Sequence, residues 1–198
     1  AYAAAKNGAR VILAEDKPRF GGSLLTSDVN IGNQTGVEWT EKIIAELKSM
    51  PNVTVKNRSQ VFGYYDHNML VMSERISDHL PKTQKYLPKQ RLWYIRANEV
   101  LISSGSIERP LVFGNNDTPG VMLSSAAKEY MKVYGVLVGK KPLIFTNNDS
   151  GYETAIEFKK NGVNPIILDT RSNHSSDIIT EAKKINIEIS ISYVDVSA

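Results

Sequence analysis

The chain of 198 residues contains no cysteine. That excludes disulfides, cysteine-ligated zinc, iron–sulfur clusters, a CxxC redox pair and a cysteine nucleophile within it. Histidine is scarce: His67, His79 and His174 stand far apart and lack metal-ligand spacing. No apolar run approaches the roughly 20 residues that a membrane-spanning helix needs. Charge of one sign is also lacking. The formal net charge of +3 is too small to argue for a nucleic-acid partner. What remains, 41% hydrophobic and 23% charged residues, is close to the composition of an ordinary soluble protein.

The sequence opens as a helix in progress. Ala1 to Lys6 is alanine-rich and helix-favouring, Asn7-Gly8 is a C-cap pair, and Arg10 to Ala14 reads as a buried strand. Helix then strand is the second and third part of a βαβ unit, so the expectation is a fragment whose first strand and Gly-rich phosphate loop lie upstream of Ala1. Thr35 to Met50 predicts a helix, with Thr35 and Glu38 at capping-box spacing and Trp39, Ile43, Ile44 and Leu47 on one stripe. Val53 to Val55 is a short strand. Gln60–Tyr65 and Met69–Glu74 form a hairpin across Asp66-His67-Asn68. Ser77 to Gln90 is a long surface loop, and Arg91–Arg96 and Glu99–Ser103 are further strands. After the turn NNDTPG (Asn115 to Gly120) and a helix over Leu123–Tyr134, the βαβ pattern restarts. It has strands at Pro142–Phe145, Pro165–Leu168 and Glu188–Tyr193, and helices at Gly151–Asn161 and Ser176–Ile185.

The expected fold is therefore α/β and Rossmann-like, with two dinucleotide-binding-type domains and a β-hairpin or meander segment between the βαβ units. Residues 1–115 form the first domain and residues 116–198 the start of a second, degenerate one.

In such a unit the second strand ends in an acid that accepts hydrogen bonds from the adenosine ribose. Glu15 occupies that place, directly after Val11-Ile12-Leu13-Ala14. It would repel a 2′-phosphate, which favours NAD or FAD over NADP. A surface acid at a strand end is the other reading. Gly21 and Gly22 would let backbone approach a nucleotide, or form an ordinary turn. Ser103, Ser104 and Gly105 are small residues at a strand exit where a dinucleotide could pass. In the second unit (Ile144 to Phe158) the first two glycine positions of Gly-x-Gly-x-x-Gly hold Thr146 and Asn148, and Gly151 alone remains. The kept glycine serves helix–strand packing, so this unit is expected to retain the fold and lose the standard dinucleotide site. Asp169, the counterpart of Glu15, is read as structural. No nucleophile–base pair is evident. Trp39 and Trp93 read as packing anchors, and the Lys-rich stretch Lys82–Arg91 lacks the aromatic interleaving of a single-strand nucleic-acid surface.

The strings IERPLVF (Ile107 to Phe113), NDTPGVML (Asn116 to Leu123), YGV (Tyr134 to Val136) and TNNDS (Thr146 to Ser150) are far more specific than a bare nucleotide fingerprint. With the opening AEDKPRFGGSL, the chain resembles the α subunit of heterotetrameric sarcosine oxidases over nearly its whole length, least in the loop Ser77–Gln90. The resemblance implies a glutathione-reductase-like fold and part of a bacterial, cytoplasmic enzyme complex. That complex demethylates sarcosine to glycine oxidatively, reduces oxygen to hydrogen peroxide and passes the one-carbon unit to tetrahydrofolate. It implies NAD in this subunit, FAD and FMN elsewhere in the complex, and β, γ and δ subunits as partners. A small-molecule substrate is implied, with neither nucleic acid nor membrane as partner. It places the adenosine ribose on Glu15, with Asp16, Gly21 and Gly22 lining the same end and the Val61 backbone against adenine. Ser103, Ser104 and Gly105 stand where Ala-Thr-Gly is usual beside the cofactor. No catalytic residue is implied here, because the sarcosine chemistry belongs to another subunit. The alternatives are the α subunit of a related opine or cyanide-forming amine dehydrogenase, and a non-catalytic scaffold with a vestigial nucleotide fold.

Overall fold

The computed structural model describes residues 1–82, 86–171 and 176–191. The chain divides into two compact units, Ala1–Gly105 and Ser106–Ala198.

In the first unit, helix α1 (Tyr2–Lys6) leads into strand β1 (Val11–Ala14). A 3-10 turn at Gly22–Leu25 and a two-residue antiparallel pair, β2 (Asn30–Ile31) and β3 (Gln34–Thr35), lead to α2 (Gly36–Ser49). The capping box is present. The Thr35 hydroxyl accepts from the Glu38 amide at 3.2 Å, and Glu38 Oε2 accepts from the Thr35 amide at 2.8 Å. It satisfies two donors that the first helical turn leaves orphaned. Leu47 is the stripe residue that is fully buried. Helix α2 carries the chain over to β4 (Val53–Lys56), which pairs parallel to β1 with Val11 opposite Val53 and Ala14 opposite Lys56.

The strand at the opening is present but only half-buried, with Ile12 41% exposed. Its apolar run predicted full burial. Among the described residues, however, this parallel sheet has two strands, and no third covers Ile12.

Three antiparallel strands follow: β5 (Ser59–Tyr65), β6 (Met69–Arg75) and β7 (Gln90–Arg96), in the order β5-β6-β7. The Asp66-His67-Asn68 loop closes the first hairpin, with His67 and Asn68 in left-handed conformations. Lys56 ties this sheet to the parallel pair. Its Nζ donates to Glu74 Oε1 at 2.8 Å and lies 4.9 Å from the centre of the Trp93 ring. The Trp93 indole N–H takes the other Glu74 oxygen at 2.7 Å. Burial alone would push the Glu74 carboxyl up, but these donors hold it below its ordinary value. The strand expected at Glu99–Ser103 does not form. Leu101 and Ile102 are 83% and 71% exposed, and no ladder partner reaches them among the described residues. Apolar composition favours a strand, but only a paired neighbour makes one.

In the second unit, α3 (Ser124–Tyr134) ends on left-handed Gly135. Strands β8 (Leu143–Thr146), β9 (Ile166–Asp169) and β10 (Glu188–Ile191) form a parallel sheet in sequence order. Helices α4 (Ser150–Lys160) and α5 (Asp177–Lys184) are the crossovers. One contiguous core holds Met131 of α3, Ile144, Tyr152, Phe158, Ile167 and Ile179. Three sequence expectations touch undescribed residues: His174, the end of the last strand at Tyr193, and residues 83–85 of the long loop.

Candidate functional site

Glu15 stands at the carboxyl end of β1. Its amide donates to the Lys56 carbonyl at 2.9 Å, and its carbonyl accepts from the Ser59 amide at 2.8 Å. The residue is thus fixed where β1, β4 and the start of β5 meet, the end of a parallel sheet at which α/β folds bind ligands. Its Oε1 accepts the Lys17 amide at 3.0 Å, which holds the side chain against its own turn. Burial pushes the Glu15 carboxyl up, and the neighbouring Asp16 carboxyl adds to the rise against the lowering effect of the Lys17 amide.

The other expected residues are distributed around this point. Asp16 adjoins Glu15 and is exposed. Gly21 and Gly22 have φ of +129° and +51° and start the 3-10 turn, so their backbone conformation alone calls for glycine. A Cβ on Gly21 would also stand 3.0 Å from the Leu25 side chain. Val61 lies on β5, 43% exposed, opposite Met72 and beside a register shift. Ser103, Ser104 and Gly105 are exposed and outside any element. The structure joins Glu15 through Ser59 to the strand that carries Val61. No hydrogen bond among the described residues joins 103–105 to the Glu15 turn.

A polar cleft beside Asp16, lined also by Arg58, Gln60, Ser73, Arg75 and Gln90, was not foreseen. Its lining comes from four separate stretches of chain. The one local signal is Arg58, a basic residue in the short connection between two strands.

In the second unit the turn before α4 is closed on itself. The Thr146 hydroxyl donates to the Asn148 carbonyl at 2.9 Å and accepts from the Asn148 amide at 3.2 Å. Asn148 Oδ1 accepts from the Ser150 amide at 2.9 Å. A Cβ on Gly151 would lie 2.6 Å from the Thr146 Cβ, which is why this glycine is kept. Asp169 is fully buried and accepts from the Tyr152 hydroxyl at 2.8 Å and from the Arg171 Nη2 at 2.8 Å. Arg171 also reaches Asp149 with Nη1 at 2.9 Å. Burial works to raise Asp169, but the bonds from Arg171 and Tyr152 outweigh it and hold the carboxyl at about 2. Burial and the Asp169 charge push the Tyr152 hydroxyl up.

No group of three or more His, Cys, Asp or Glu residues is placed to hold a metal among the described residues. No helix there is long and apolar enough to cross a membrane.

No family model matches. Sarcosine oxidase subunit alpha of Rhizobium meliloti is 41% identical over 186 residues, which is 93% of this chain and 19% of that protein. The subunit of the same name from Corynebacterium sp. (strain P-1) is 35% identical over 175 residues, 87% of this chain and 18% of that protein. The chain resembles one segment of sarcosine oxidase subunit alpha. It spans about a fifth of the length of these sarcosine oxidase relatives.

Among solved structures, L-proline dehydrogenase from P. horikoshii superposes with a TM-score of 0.66 at 19% identity, over 89% of this chain and 34% of that one. The HOCl-induced flavoprotein disulfide reductase RclA from Escherichia coli gives 0.62 at 19% identity, over 96% and 45%. These likenesses show the fold alone: α/β, with parallel and antiparallel sheets.

Proposed function

We propose that the chain is the dinucleotide-binding portion of a sarcosine-oxidase-type α subunit, and that its first unit binds NAD. The observation that carries this is the coincidence of two facts. Sequence similarity to sarcosine oxidase α subunits runs over about nine-tenths of the chain. A partly buried acid also stands at the carboxyl end of a parallel strand, where a ribose is held.

The residues fit the adenosine end of the cofactor. Glu15 has a second oxygen beyond the one occupied by the Lys17 amide, and a ribose hydroxyl is a donor that suits a carboxylate raised by burial. Asp16, Gly21 and Gly22 line that end, Val61 offers backbone to adenine, and Ser103, Ser104 and Gly105 lie along the cofactor. A bound NAD would supply a hydride acceptor. This chain's part is to hold and orient it.

In this reading the whole protein is an oxidoreductase of the cytoplasm, working with β, γ and δ subunits. It oxidises sarcosine to glycine while oxygen is reduced to hydrogen peroxide, with the one-carbon unit passed to tetrahydrofolate. FAD and FMN sit elsewhere in the complex. Residues 116–198 are a degenerate dinucleotide-type domain that serves as scaffold. The turn closed by Thr146 and Asn148, with Arg171 bridging Asp149 and Asp169, favours that role.

Calorimetry on the full-length protein tests the proposal. NAD should bind, and Glu15→Ala should weaken it by about 1.5–3 kcal/mol, the worth of a hydrogen bond to a charged group. Unchanged affinity in that variant would remove the ribose assignment. Absence of NAD binding would remove the cofactor.

A further inference from the structure

The cleft beside Asp16 has a volume of about 320 Å³, at the small end of the roughly 300–1,000 Å³ of ligand sites. Its floor is one face of the antiparallel sheet. Gln60 pairs with Ser73 and Arg75 with Gln90, so the pleat turns all four to the same side. Val61, one residue on, turns its side chain to the opposite face.

Two observations suggest that this lining is organised for a ligand. The first is Arg58. Its φ of +51° is left-handed, a conformation that suits glycine or asparagine and is uncommon for a long side chain. The backbone is pinned there from both sides: its amide donates to the Lys17 carbonyl at 3.0 Å, and its carbonyl accepts from the Arg75 amide at 2.9 Å. A glycine would satisfy this backbone with less strain, so the side chain is what arginine adds.

The second observation is Asp78, which holds two of the lining residues. It accepts from Arg75 Nε at 3.1 and 3.2 Å and from Gln90 Nε2 at 2.8 Å. Both residues are thereby fixed, while the terminal nitrogens of Arg75 make no hydrogen bond among the described residues.

The charges then sort themselves. Asp78 balances Arg75. Arg58 and Asp16 remain, opposite in sign, in one cleft and not paired with each other among the described residues. Asp16 lies beside another carboxyl, Glu15, which an added cation would relieve. The complement is a ligand with separated charges. We propose that this cleft binds a small zwitterion of the amino-acid type, its carboxylate on Arg58 and Arg75 and its ammonium on Asp16. Planar guanidinium groups suit a carboxylate, and an exposed aspartate suits an ammonium. The site goes beyond the dinucleotide reading; it adjoins the proposed NAD site and shares Asp16 with it.

Isothermal titration calorimetry on the full-length protein, with glycine and acetate as probes, is the test. Glycine should bind saturably and more tightly than acetate. Asp16→Asn should weaken glycine by about tenfold or more and leave acetate unchanged. Arg58→Gly should abolish binding of both, while the thermal midpoint stays level or rises because glycine is at ease at this φ. Absence of saturable glycine binding overturns the proposal. Equal affinities for glycine and acetate reduce the site to a plain anion site and overturn the zwitterion. Glycine binding that survives Arg58→Gly places the ligand elsewhere.

Discussion

The Tyr152 hydroxyl donates to Oδ2 of Asp169 across 2.8 Å, and both residues have no exposed surface. The pair joins the first turn of α4 to the end of β9, and Arg171 closes it from the outside with bonds to both Asp169 oxygens.

Asp169→Asn should therefore destabilise the second unit at neutral pH by about 3 kcal/mol, the lower range for removing one partner of a buried ion pair. The carboxyl lies at about 2 in the fold against an ordinary value of 3.8. A depressed acid stabilises the fold above its unfolded value and loses that contribution as pH falls through its folded value. The difference between wild type and variant, read from denaturant melts, should hold above about pH 4 and shrink toward pH 2.

Gly151→Ala should cost about 1–3 kcal/mol, because the new methyl would press on Thr146 at 2.6 to 2.9 Å. The double variant Gly151→Ala with Thr146→Gly should recover part of the overpacking cost. Thermal melts of the two variants check this, and equal losses in both would show that the contact is not the cause.

Glu15→Gln should move stability and binding in opposite directions. Burial raises the Glu15 carboxyl in the fold, so its contribution is fully present at low pH and lost as pH rises through the folded value. At neutral pH the ionised residue is a net cost, and the amide should raise the melting midpoint. The same change should weaken NAD. A midpoint that falls at neutral pH would contradict the burial argument.

Thr35→Ala should destabilise the first unit by about 1 kcal/mol through loss of the N-cap. Glu38, held below its ordinary value by the Thr35 amide and hydroxyl, keeps the amide and loses the hydroxyl. The readout is the helical signal of the first unit during thermal unfolding.

Helix α2 was legible in the sequence because its signals are local: a cap, a box partner three residues on and a stripe of one period. The same holds for the 60s hairpin and for Gly151, whose packing role follows from position in the motif. Glu15 was legible as an acid at a strand end, but its fixation by Lys56 and Ser59 depends on pairing that no local pattern encodes. The 99–103 stretch misled because its apolar residues are a necessary condition for a strand, and pairing is the sufficient one. The Asp16 cleft was illegible for the same reason. Gln60, Ser73 and Gln90 are unremarkable apart, and sheet register alone puts them side by side.

The two units bury their apolar side chains very differently. Among the described residues of the second unit the buried hydrophobics form one contiguous core from Ala127 to Ile187, whereas in the first unit the buried hydrophobics among those described are Ala5, Leu47, Val71 and Met72. Local opening free energies follow buried apolar contact. In the 198-residue chain, amide protons of Phe158 and Ile167 should therefore be among the last to exchange with deuterium, and those of β1 and β4 should exchange earlier. The unit proposed to hold the nucleotide is then the one with most to gain in rigidity from a ligand, and NAD should slow exchange there while leaving the second unit unchanged.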